Sequence, residues 1–335
     1  MLRIERLVDG TQRHHGRFAN RPRVADALAE HTGLARAVRR WRLKEWVGFM
    51  VVHPEWQLSF IMQDAKYLAS SELFAFDRRD ASVRSHEAVK PPLSLRLPVD
   101  LLDRSCRFQR GGYDLEYSFG GERGTHRIRF DVAASEEAPA VVGELLLDGA
   151  AGSAPLSVSG LLPGGSLYTY KAVFPVSGSV RIGDEDVTFD GARDLAIIDE
   201  HRSFLPYRTT WTWGTFAMRT DGGLVGANFA TRPISPGAEE ESALWFPGAC
   251  EPLADITFTP HSDAPLSPRH IRSADGRLDV TFTPRARKEV KRQLGVFAVD
   301  YYALYGTYRG VVRGPEGEHE AADVAGVCEE MRARL

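Results

Sequence analysis

Most of the chain consists of short apolar runs rich in aromatic and β-branched residues, each ended by glycine, proline or aspartate. Runs of this kind, recurring about every ten residues, predict antiparallel strands in a sandwich or barrel rather than alternating strands and helices. Paired glycines at 111–112 and 120–121 fit hairpin turns between three of the runs. The predicted strands of the N-terminal half are 46–53, 56–63, 70–76, 93–97, 106–110, 113–119, 126–132 and 141–147.

A second series of strands follows a stretch of small, nearly uncharged residues at 148–166, which we interpret as a connection. Hairpin turns are again expected, at 221–223 and 275–276. Two β-rich halves of comparable length predict two domains, 1–165 and 166–335. The predicted strands of the second series are 168–174, 179–182, 186–189, 195–198, 210–219, 223–230, 243–246, 255–259, 278–284, 297–313 and 318–330.

One early helix is predicted, at 22–40, where Leu34 and Val38 contribute to a loose helical stripe. Arginines cluster between Arg36 and Arg42, next to Trp41. A basic helix with a tryptophan can contact an anionic membrane surface. Alternatively, a solvated basic face lies against a core that the tryptophan anchors, and the sequence favours this second interpretation.

The composition limits the possible functions. Hydrophobic residues make up 43% of the 335 residues and charged residues 26%, which is enough for a sizeable core. The formal net charge of −3 argues against nucleic-acid binding, which normally requires a basic excess. No run of about 18 apolar residues occurs, so no integral membrane segment is expected. The first ten residues carry charges where a signal peptide is apolar, and the three cysteines are widely spaced, so we expect a cytoplasmic protein.

Sequence motifs for common cofactors are absent. The chain has no G-x-G-x-x-G, no P-loop, no G-x-S-x-G and no H-E-x-x-H. The histidine pair His14 and His15 is adjacent and lacks the spacing of a helical metal site. We therefore predict neither a cofactor nor a metal.

The densest cluster of chemically active side chains lies at 194–232. Four consecutive ionisable residues, Asp199–Arg202, are followed by Tyr207 and then by Trp211 and Trp213, which share one face of a strand. Ionisable residues that lead into an aromatic strand are typical of the mouth of an apolar pocket with a polar end. This segment is therefore the predicted site.

The order and spacing of several short motifs resemble the DUF2804 family, a bacterial group named as a domain of unknown function. Each motif alone is short, but together they cover most of the chain. The central one reads D-x-x-R-x-x-x-P-Y-x-x-x-W-x-W. The matching positions are Gly16, Arg17, Arg21, Pro22, Arg40–Trp46, Asp64, Ala65, Tyr67, Asp199, Arg202, Pro206, Tyr207, Trp211, Trp213, Gly226, Asn228, Gly306, Tyr308, Gly310, Gly317 and Glu320.

The central motif is also remotely similar to that of the AttH/CrtC-like proteins, a lipocalin-related group with carotenoid 1,2-hydratases and pericyclase-like enzymes. Those proteins have D-H-E-W-S and then W-D-W-F, where this chain has Asp199–Ser203 and then Trp211–Trp213. Arg202 stands at the position of the family's first tryptophan, and Thr212 replaces a carboxylate. The resemblance implies an all-β fold of two successive lipocalin-like antiparallel β-barrels or strongly bent sheets, with a short N-terminal helix.

The expected catalytic residues are Asp199, His201 and Tyr207. Because Asp199 follows an apolar run, we expect burial to raise its pKa and to make it a general acid; the alternative is a structural ion pair with Arg202. His201 titrates near neutrality and is expected either to assist or to face solvent in a turn. If strand alternation continues, Asp199 and His201 converge on one face, and Glu200 and Arg202 on the other.

The expected ligand contacts are Arg202, Trp211, Trp213 and Asn228. The two tryptophans either form the wall of a cavity or pack in a core. Asn228 offers an amide within an apolar strand, and a buried amide needs a hydrogen-bond partner from a ligand or a neighbouring strand. Tyr207 either donates its phenol to a ligand or lies at the rim of a barrel.

These residues predict a protein that binds an apolar or amphipathic small molecule and catalyses cofactor-independent acid–base or pericyclic chemistry on it, such as hydration, isomerisation or cyclisation. The alternative is a non-catalytic binding protein for lipids or other hydrophobic ligands, in which the aromatic residues only hold the ligand. The sequence leaves the oligomeric state open.

Overall fold

The computed structural model describes residues 1–334, most of them in antiparallel β-structure. Strands account for 62% of the chain, which confirms the predicted all-β class. The described residues contain one α-helix, α1 (Gly33–Arg42). The strands, in chain order, are β1 (Val8–Asp9), β2 (Gln12–Arg13), β3 (Gly16–Arg17), β4 (Leu43–Val52), β5 (Trp56–Asp64), β6 (Ala69–Asp77), β7 (Val83–Lys90), β8 (Ser105–Arg110), β9 (Tyr113–Ser118), β10 (Thr125–Val132), β11 (Val141–Asp148), β12 (Leu156–Leu162), β13 (Gly165–Ile182), β14 (Glu185–Phe189), β15 (Leu195–Phe204), β16 (Arg208–Thr220), β17 (Gly223–Thr231), β18 (Ala243–Phe246), β19 (Ala249–Pro252), β20 (Ile256–Pro260), β21 (Arg269–Ser273), β22 (Leu278–Leu294), β23 (Phe297–Gly314) and β24 (Gly317–Arg334).

The chain forms two compact units. The first unit comprises Met1–Ser159 and Leu167–Phe204, and the second comprises Gly160–Ser166 and the chain from Leu205 onward. This division differs from the predicted boundary between residues 165 and 166. The reason is that β13 and β15 hydrogen-bond to strands of the first unit, although they follow the predicted connection in sequence.

The sheet of the first unit is nearly closed into a barrel. Its main path runs β7-β6-β5-β4-β15-β13-β11-β10-β9-β8, with β12 and β14 also paired to β13 and β3 paired to β12. The end strands β7 and β8 contact each other. Alternate residues face the core, among them Val47 and Phe49 of β4 and Ala196 and Ile198 of β15. The intervening residues lie on the opposite side of the sheet, which we call the outer face.

The second unit is built on a nine-stranded sheet in the form of a half-barrel, in the order β19-β18-β17-β16-β24-β23-β22-β21-β20. Its core centres on Tyr308, whose ring stacks on that of Phe216 with centroids 4.7 Å apart. The Tyr308 hydroxyl donates to the backbone oxygen of Val327 at 2.7 Å, which satisfies the one polar atom of a fully buried ring.

The helix begins later than the sequence predicts. Residues 22–32 are held by other contacts instead: the Ala25 amide donates to Val99 O at 2.9 Å, and within the segment the Leu28 amide donates to Asp26 Oδ1 at 2.9 Å. Ala25 and Leu28 are also buried in the first core. Tertiary bonding therefore replaces the first turns of the predicted helix, and α1 covers Gly33–Arg42 only.

Two further local predictions are wrong. The stretch 148–166 contains a strand, β12, whose residues Leu156 and Val158 are buried. Residues 93–97 are not a strand, although Leu95 and Leu97 are buried. The small residues of 148–166 give little strand signal, whereas the alternating leucines of 93–97 resemble a strand although prolines flank them; burial against other elements decides the conformation in both cases.

Candidate functional site

The outer face of the first unit carries a cluster of four polar and aromatic side chains around Asp199. Because Ala196 and Ile198 face the core, alternation places Asp199 and His201 of β15 on the outer face. Trp46 of β4 lies directly opposite His201 in the strand register. The predicted convergence of Asp199 and His201 is confirmed, since β15 continues as a strand through Phe204 and does not turn at 199.

The Asp199 carboxylate is bonded on both oxygens. The Lys171 ammonium donates to Oδ1, and the Trp46 indole Nε1 donates to Oδ2 at 3.0 Å. His201 Nε2 lies 3.4 Å from Oδ1. The imidazole of His201 stacks on the indole of Trp46, with ring centroids 4.4 Å apart and planes 22° from parallel. The carboxylate is therefore fixed by one cation and one indole and points toward an oriented imidazole.

A glycine lies next to this cluster in the strand pairing. Gly48 lies directly across β4 and β15 from Asp199. A Cβ at this position would come within 2.9 Å of Phe60 O and 3.0 Å of Ile61 Cγ1, so the neighbouring strand leaves room only for hydrogen.

The protonation state of Asp199 is opposite to the expectation. Burial alone would raise its pKa, but the charges of Lys171 and His201 and the hydrogen bonds from Lys171 and Trp46 outweigh burial and hold the pKa below its ordinary value. Asp199 is thus an ionised carboxylate near neutral pH, and the predicted raised pKa is wrong. Its side chain keeps 25% of its surface exposed, whereas that of Lys171 keeps 1%.

Glu200 and Arg202 lie on the core face of β15, and Arg202 is not paired with Asp199. The Arg21 guanidinium binds both carboxylate oxygens of Glu200, at 2.6 and 2.7 Å, and Arg202 Nε donates to Glu200 Oε1 at 2.9 Å. Burial raises the pKa of Glu200, but these two guanidiniums lower it more, and the net pKa lies below the ordinary value. The Asp199–Arg202 ion pair considered from the sequence does not form.

The same network extends along the core face as a chain of alternating charges. Arg202 also donates to Glu45, whose carboxylate accepts from Lys66, and Lys66 Nζ donates to Asp64 at 2.6 Å. A further guanidinium nitrogen of Arg202 donates to the backbone oxygen of Pro98. The Arg202 side chain is 1% exposed. Its contacts are those of a structural residue, so we do not retain it as a ligand contact.

Trp211 and Trp213 belong to the second unit, where both are half-buried on the face of β16 opposite the core residues Phe216 and Met218. Trp213 Nε1 donates to Asn228 Oδ1 at 2.8 Å, and Asn228 Nδ2 donates to the backbone oxygen of Glu241 at 2.9 Å. Asn228 is fully buried. Its amide therefore holds the Trp213 indole in place, which leaves the tryptophans as the ligand-contact candidates.

Glu329 and Tyr301 form a chain of hydrogen bonds with Trp211, and the sequence did not predict either of them as a site residue. Trp211 Nε1 donates to Glu329 Oε1 at 2.9 Å, and the Tyr301 hydroxyl donates to Glu329 Oε2 at 2.7 Å. Glu329 lies directly opposite Trp213 in the pairing of β16 with β24. The sequence offered little signal, because Glu329 lies in the acidic C-terminal segment more than a hundred positions from the tryptophans.

Tyr207 is also in the second unit and is 46% exposed. Its hydroxyl donates to the backbone oxygen of Val296. That bond ties two segments of the second unit together, as expected of a tyrosine at a rim. We therefore do not retain Tyr207 as an assistant to Asp199.

Lys171 and Trp46 are the residues of the first cluster that the sequence did not single out. The signal for Lys171 was present: a lone lysine interrupts the apolar run 168–174, in which Tyr170 and Ala172 face the core. A charge at an outward position of such a strand needs a buried partner. Across residues 1–334, no three His, Cys, Asp or Glu side chains are grouped in a way that could hold a metal ion. No helix in this range is long and apolar enough to cross a membrane.

A family model described as "Domain of unknown function (DUF2804)" matches residues 6–335. The chain belongs to the DUF2804 family. The motifs quoted from the sequence therefore identified the family correctly, and the match extends over both units of this DUF2804 protein. No curated protein sequence matches it significantly.

Known structures share the fold of this DUF2804 protein at low sequence identity. The crystal structure of CghA with Sch210972 aligns with a TM-score of 0.56 and 11% identity over 88% of each chain. Kievitone hydratase from Nectria haematococca aligns with a TM-score of 0.51 and 9% identity over 87% of this chain and 88% of the other. The likeness confirms the lipocalin-like architecture and supports the remote similarity to the AttH/CrtC-like group.

Proposed function

We propose that this protein binds an apolar or amphipathic small molecule and catalyses cofactor-independent acid–base chemistry on it, with hydration, isomerisation or cyclisation as the reaction types. The observation that carries the proposal is the outer-face cluster of Asp199, Lys171, Trp46 and His201. An ionised carboxylate that faces an oriented imidazole is the arrangement that makes histidine an effective proton carrier.

The proposed roles follow from the charges. The negative charge of Asp199 favours a proton on Nε2 of His201, which puts the lone pair of the neutral ring on Nδ1. In this role His201, whose side chain is 4% exposed, takes a proton from the bound ligand, and the carboxylate stabilises the imidazolium until the proton is returned. Lys171 and Trp46 hold the carboxylate in place. Asp199 thus acts as the charged partner of His201 and not as the acid.

The apolar part of the ligand is assigned to aromatic surface. Trp46 supplies such a surface beside His201. Trp211 and Trp213 of the second unit are a separate candidate surface for an apolar ligand. The fold likeness to a protein named as a hydratase, and to one crystallised with a small molecule, supports a ligand-binding role for this fold. The second candidate, a non-catalytic carrier, uses the same aromatic residues without proton transfer.

The test is a product analysis on the full-length protein. Apolar compounds with a carbon–carbon double bond conjugated to a carbonyl are incubated with it and separated by liquid chromatography with mass detection. Hydration adds the mass of one water, whereas isomerisation and cyclisation change the retention time at constant mass. We expect His201→Gln to abolish conversion, and we expect the same of a double variant with Asp199→Asn and Lys171→Met.

The double variant is needed because Asp199→Asn alone would break the ion pair of the buried Lys171 ammonium, and breaking a buried pair costs about 3–5 kcal/mol. Asp186→Asn is the matched control, since Asp186 lies in the same unit and its side chain is 65% exposed. Retention of a compound without conversion by the wild-type protein would favour the carrier. Full activity in the folded His201→Gln protein would eliminate the proposed mechanism.

A further inference from the structure

The helix α1 presents an apolar stripe to solvent. None of its ten residues is buried. Leu34 is 81% exposed, Val38 60% and Trp41 49%. Their spacing of four and then three residues places all three on one side of the helix. The interpretation that Trp41 anchors the helix to a core is therefore wrong.

The other side of α1 is strongly basic. It carries Arg36, Arg39 and Arg40, whereas Arg42 borders the apolar stripe, and the helix contains no acidic residue. Arg36 Nη2 donates to Asp26 Oδ2 at 2.8 Å, whereas the three other arginines are exposed on the helix surface. The helix is thus amphipathic, with three of its four arginines on the side opposite the apolar stripe.

Packing within the protein does not account for this helix. Helices of about ten residues are marginal in water, and in proteins their stability comes mostly from an apolar face that packs against a core. In the described part of the chain, none of the three side chains of the stripe, Leu34, Val38 and Trp41, is buried. Its hydrogen bonds to the rest of the first unit include those of Arg36 with Asp26 and of Lys44 Nζ with Trp41 O, the latter at 3.1 Å.

We propose that α1 docks the protein on an anionic phospholipid surface. A short helix with arginines on one face and leucine, valine and tryptophan on the other has the pattern of helices that lie in the plane of a membrane interface. Tryptophan is suited to the headgroup level. The charge of the helix is complementary to anionic lipids. A second copy of the same helix offers no negative charge to these arginines, because the helix contains no acidic residue.

The proposal does not depend on the chemistry assigned to Asp199 and His201. Vesicles of phosphatidylcholine, with and without phosphatidylserine, are mixed with the full-length protein and sedimented. We expect binding to the vesicles that contain phosphatidylserine, and we expect it to weaken as salt screens the charges. Changing Arg39→Gln and Arg40→Gln together should lower partitioning about five-fold for each charge removed.

The apolar stripe is tested with Leu34→Ser and Val38→Ser together, for which we expect a loss on the order of ten-fold per side chain. Neither change should alter the unfolding midpoint, because both side chains are exposed. Arg110→Gln with Arg123→Gln is the matched control for charge, since both arginines are exposed in the same unit, and it should bind like the wild type.

Three results would overturn the proposal. The first is an absence of binding to vesicles with phosphatidylserine. The second is equal binding by the helix variants and the control. The third is a wild-type dimer that becomes monomeric in the Leu34→Ser, Val38→Ser protein, as measured by light scattering without lipid, since it would assign the stripe to a second copy of the chain.

Discussion

At the scale of single residues, His126 is an imidazole that the fold keeps neutral. Its ring lies between Phe119 and Phe174, with centroids 5.3 and 5.1 Å away. The Gly120 amide donates to Nδ1 at 3.2 Å, so the proton of the neutral ring belongs on Nε2. Burial lowers the pKa of His126 from 6.5 to about 4. Protonation is therefore easier in the unfolded chain than in the folded one.

This difference predicts a loss of stability in acid. Above pH 6.5 the His126 ring is neutral in both the folded and the unfolded state and does not change the free energy of unfolding. Between pH 6.5 and about pH 4 the ring is protonated in the unfolded chain but stays neutral in the folded protein. The free energy of unfolding should fall by roughly 3 kcal/mol across this interval on account of His126 alone. Urea denaturation of the wild type and of His126→Gln at a series of pH values measures the effect.

Glutamine is chosen because its oxygen can still accept from Gly120, while it cannot be protonated in this range. His14→Gln, at a partly exposed histidine, is the control. The two variants should differ in the slope of stability against pH. An unchanged slope in His126→Gln would show that other groups dominate the acid response.

At the scale of elements, β15 carries two separate systems of charges on its two faces. The outer face has Asp199 with Lys171, and the core face has Glu200 between Arg21 and Arg202. Neighbouring residues in sequence therefore belong to different networks, because side chains alternate along a strand. The core-face network lies under the residues proposed for catalysis and holds their strand to residues of other segments.

Glu200→Gln should be strongly destabilising. It would remove the charge that Arg21 and Arg202 share, in a position where all three side chains are at most 1% exposed. Breaking a buried pair in this way costs about 3–5 kcal/mol. Asp186→Asn is the control. Asp186 is 65% exposed and its partner Arg181 is 64% exposed, and exposed ion pairs contribute at most about 1 kcal/mol to the free energy of unfolding.

The measurement is the free energy of unfolding in denaturant for both variants. A cost for Glu200→Gln as small as that of Asp186→Asn would mean that the guanidiniums find other partners, such as the backbone oxygens of Pro22 and Pro98 that they already contact. Above its ordinary pKa the ionised Glu200 contributes stability, which is lost as acid protonates it, so the difference between the two variants should shrink at low pH.

At the scale of the whole molecule, the first unit is completed by strands that come late in its sequence. β15 pairs with β4, and β13 pairs with β11, so the path of the sheet depends on both. A fragment of residues 1–165 lacks β15 and nearly all of β13, which leaves β4 and β11 with an unpaired edge in the middle of the sheet. A fragment of residues 1–204 contains every strand of the path.

We therefore expect fragment 1–204 to unfold cooperatively and fragment 1–165 not to do so. The measurement is far-ultraviolet circular dichroism across a denaturant series, with near-ultraviolet dichroism as a check of fixed aromatic packing. Exposed strand edges should also make the shorter fragment aggregate. Cooperative unfolding of fragment 1–165 would restore the boundary expected from the sequence.

The sequence by itself determined the features that depend on local pattern. Runs of alternating residues predicted the all-β class and most strands of both series. Glycines that accept a left-handed backbone predicted the hairpin turns, such as Gly111 and Gly276 with φ of 56° and 71°. The same alternation correctly paired Asp199 with His201 and Glu200 with Arg202. The family followed from the order of its motifs.

Only the tertiary structure decided which charges meet. Lys171 and Trp46 reach Asp199 from 28 and 153 positions away, and Arg21 reaches Glu200 from 179. These partners reverse the expected pKa shift of Asp199 and move Arg202 from ligand contact to structure. The tertiary structure also left the apolar stripe of α1 uncovered. Strand pairing and burial depend on residues far apart in the chain, and no local pattern encodes the neighbours that set a charge.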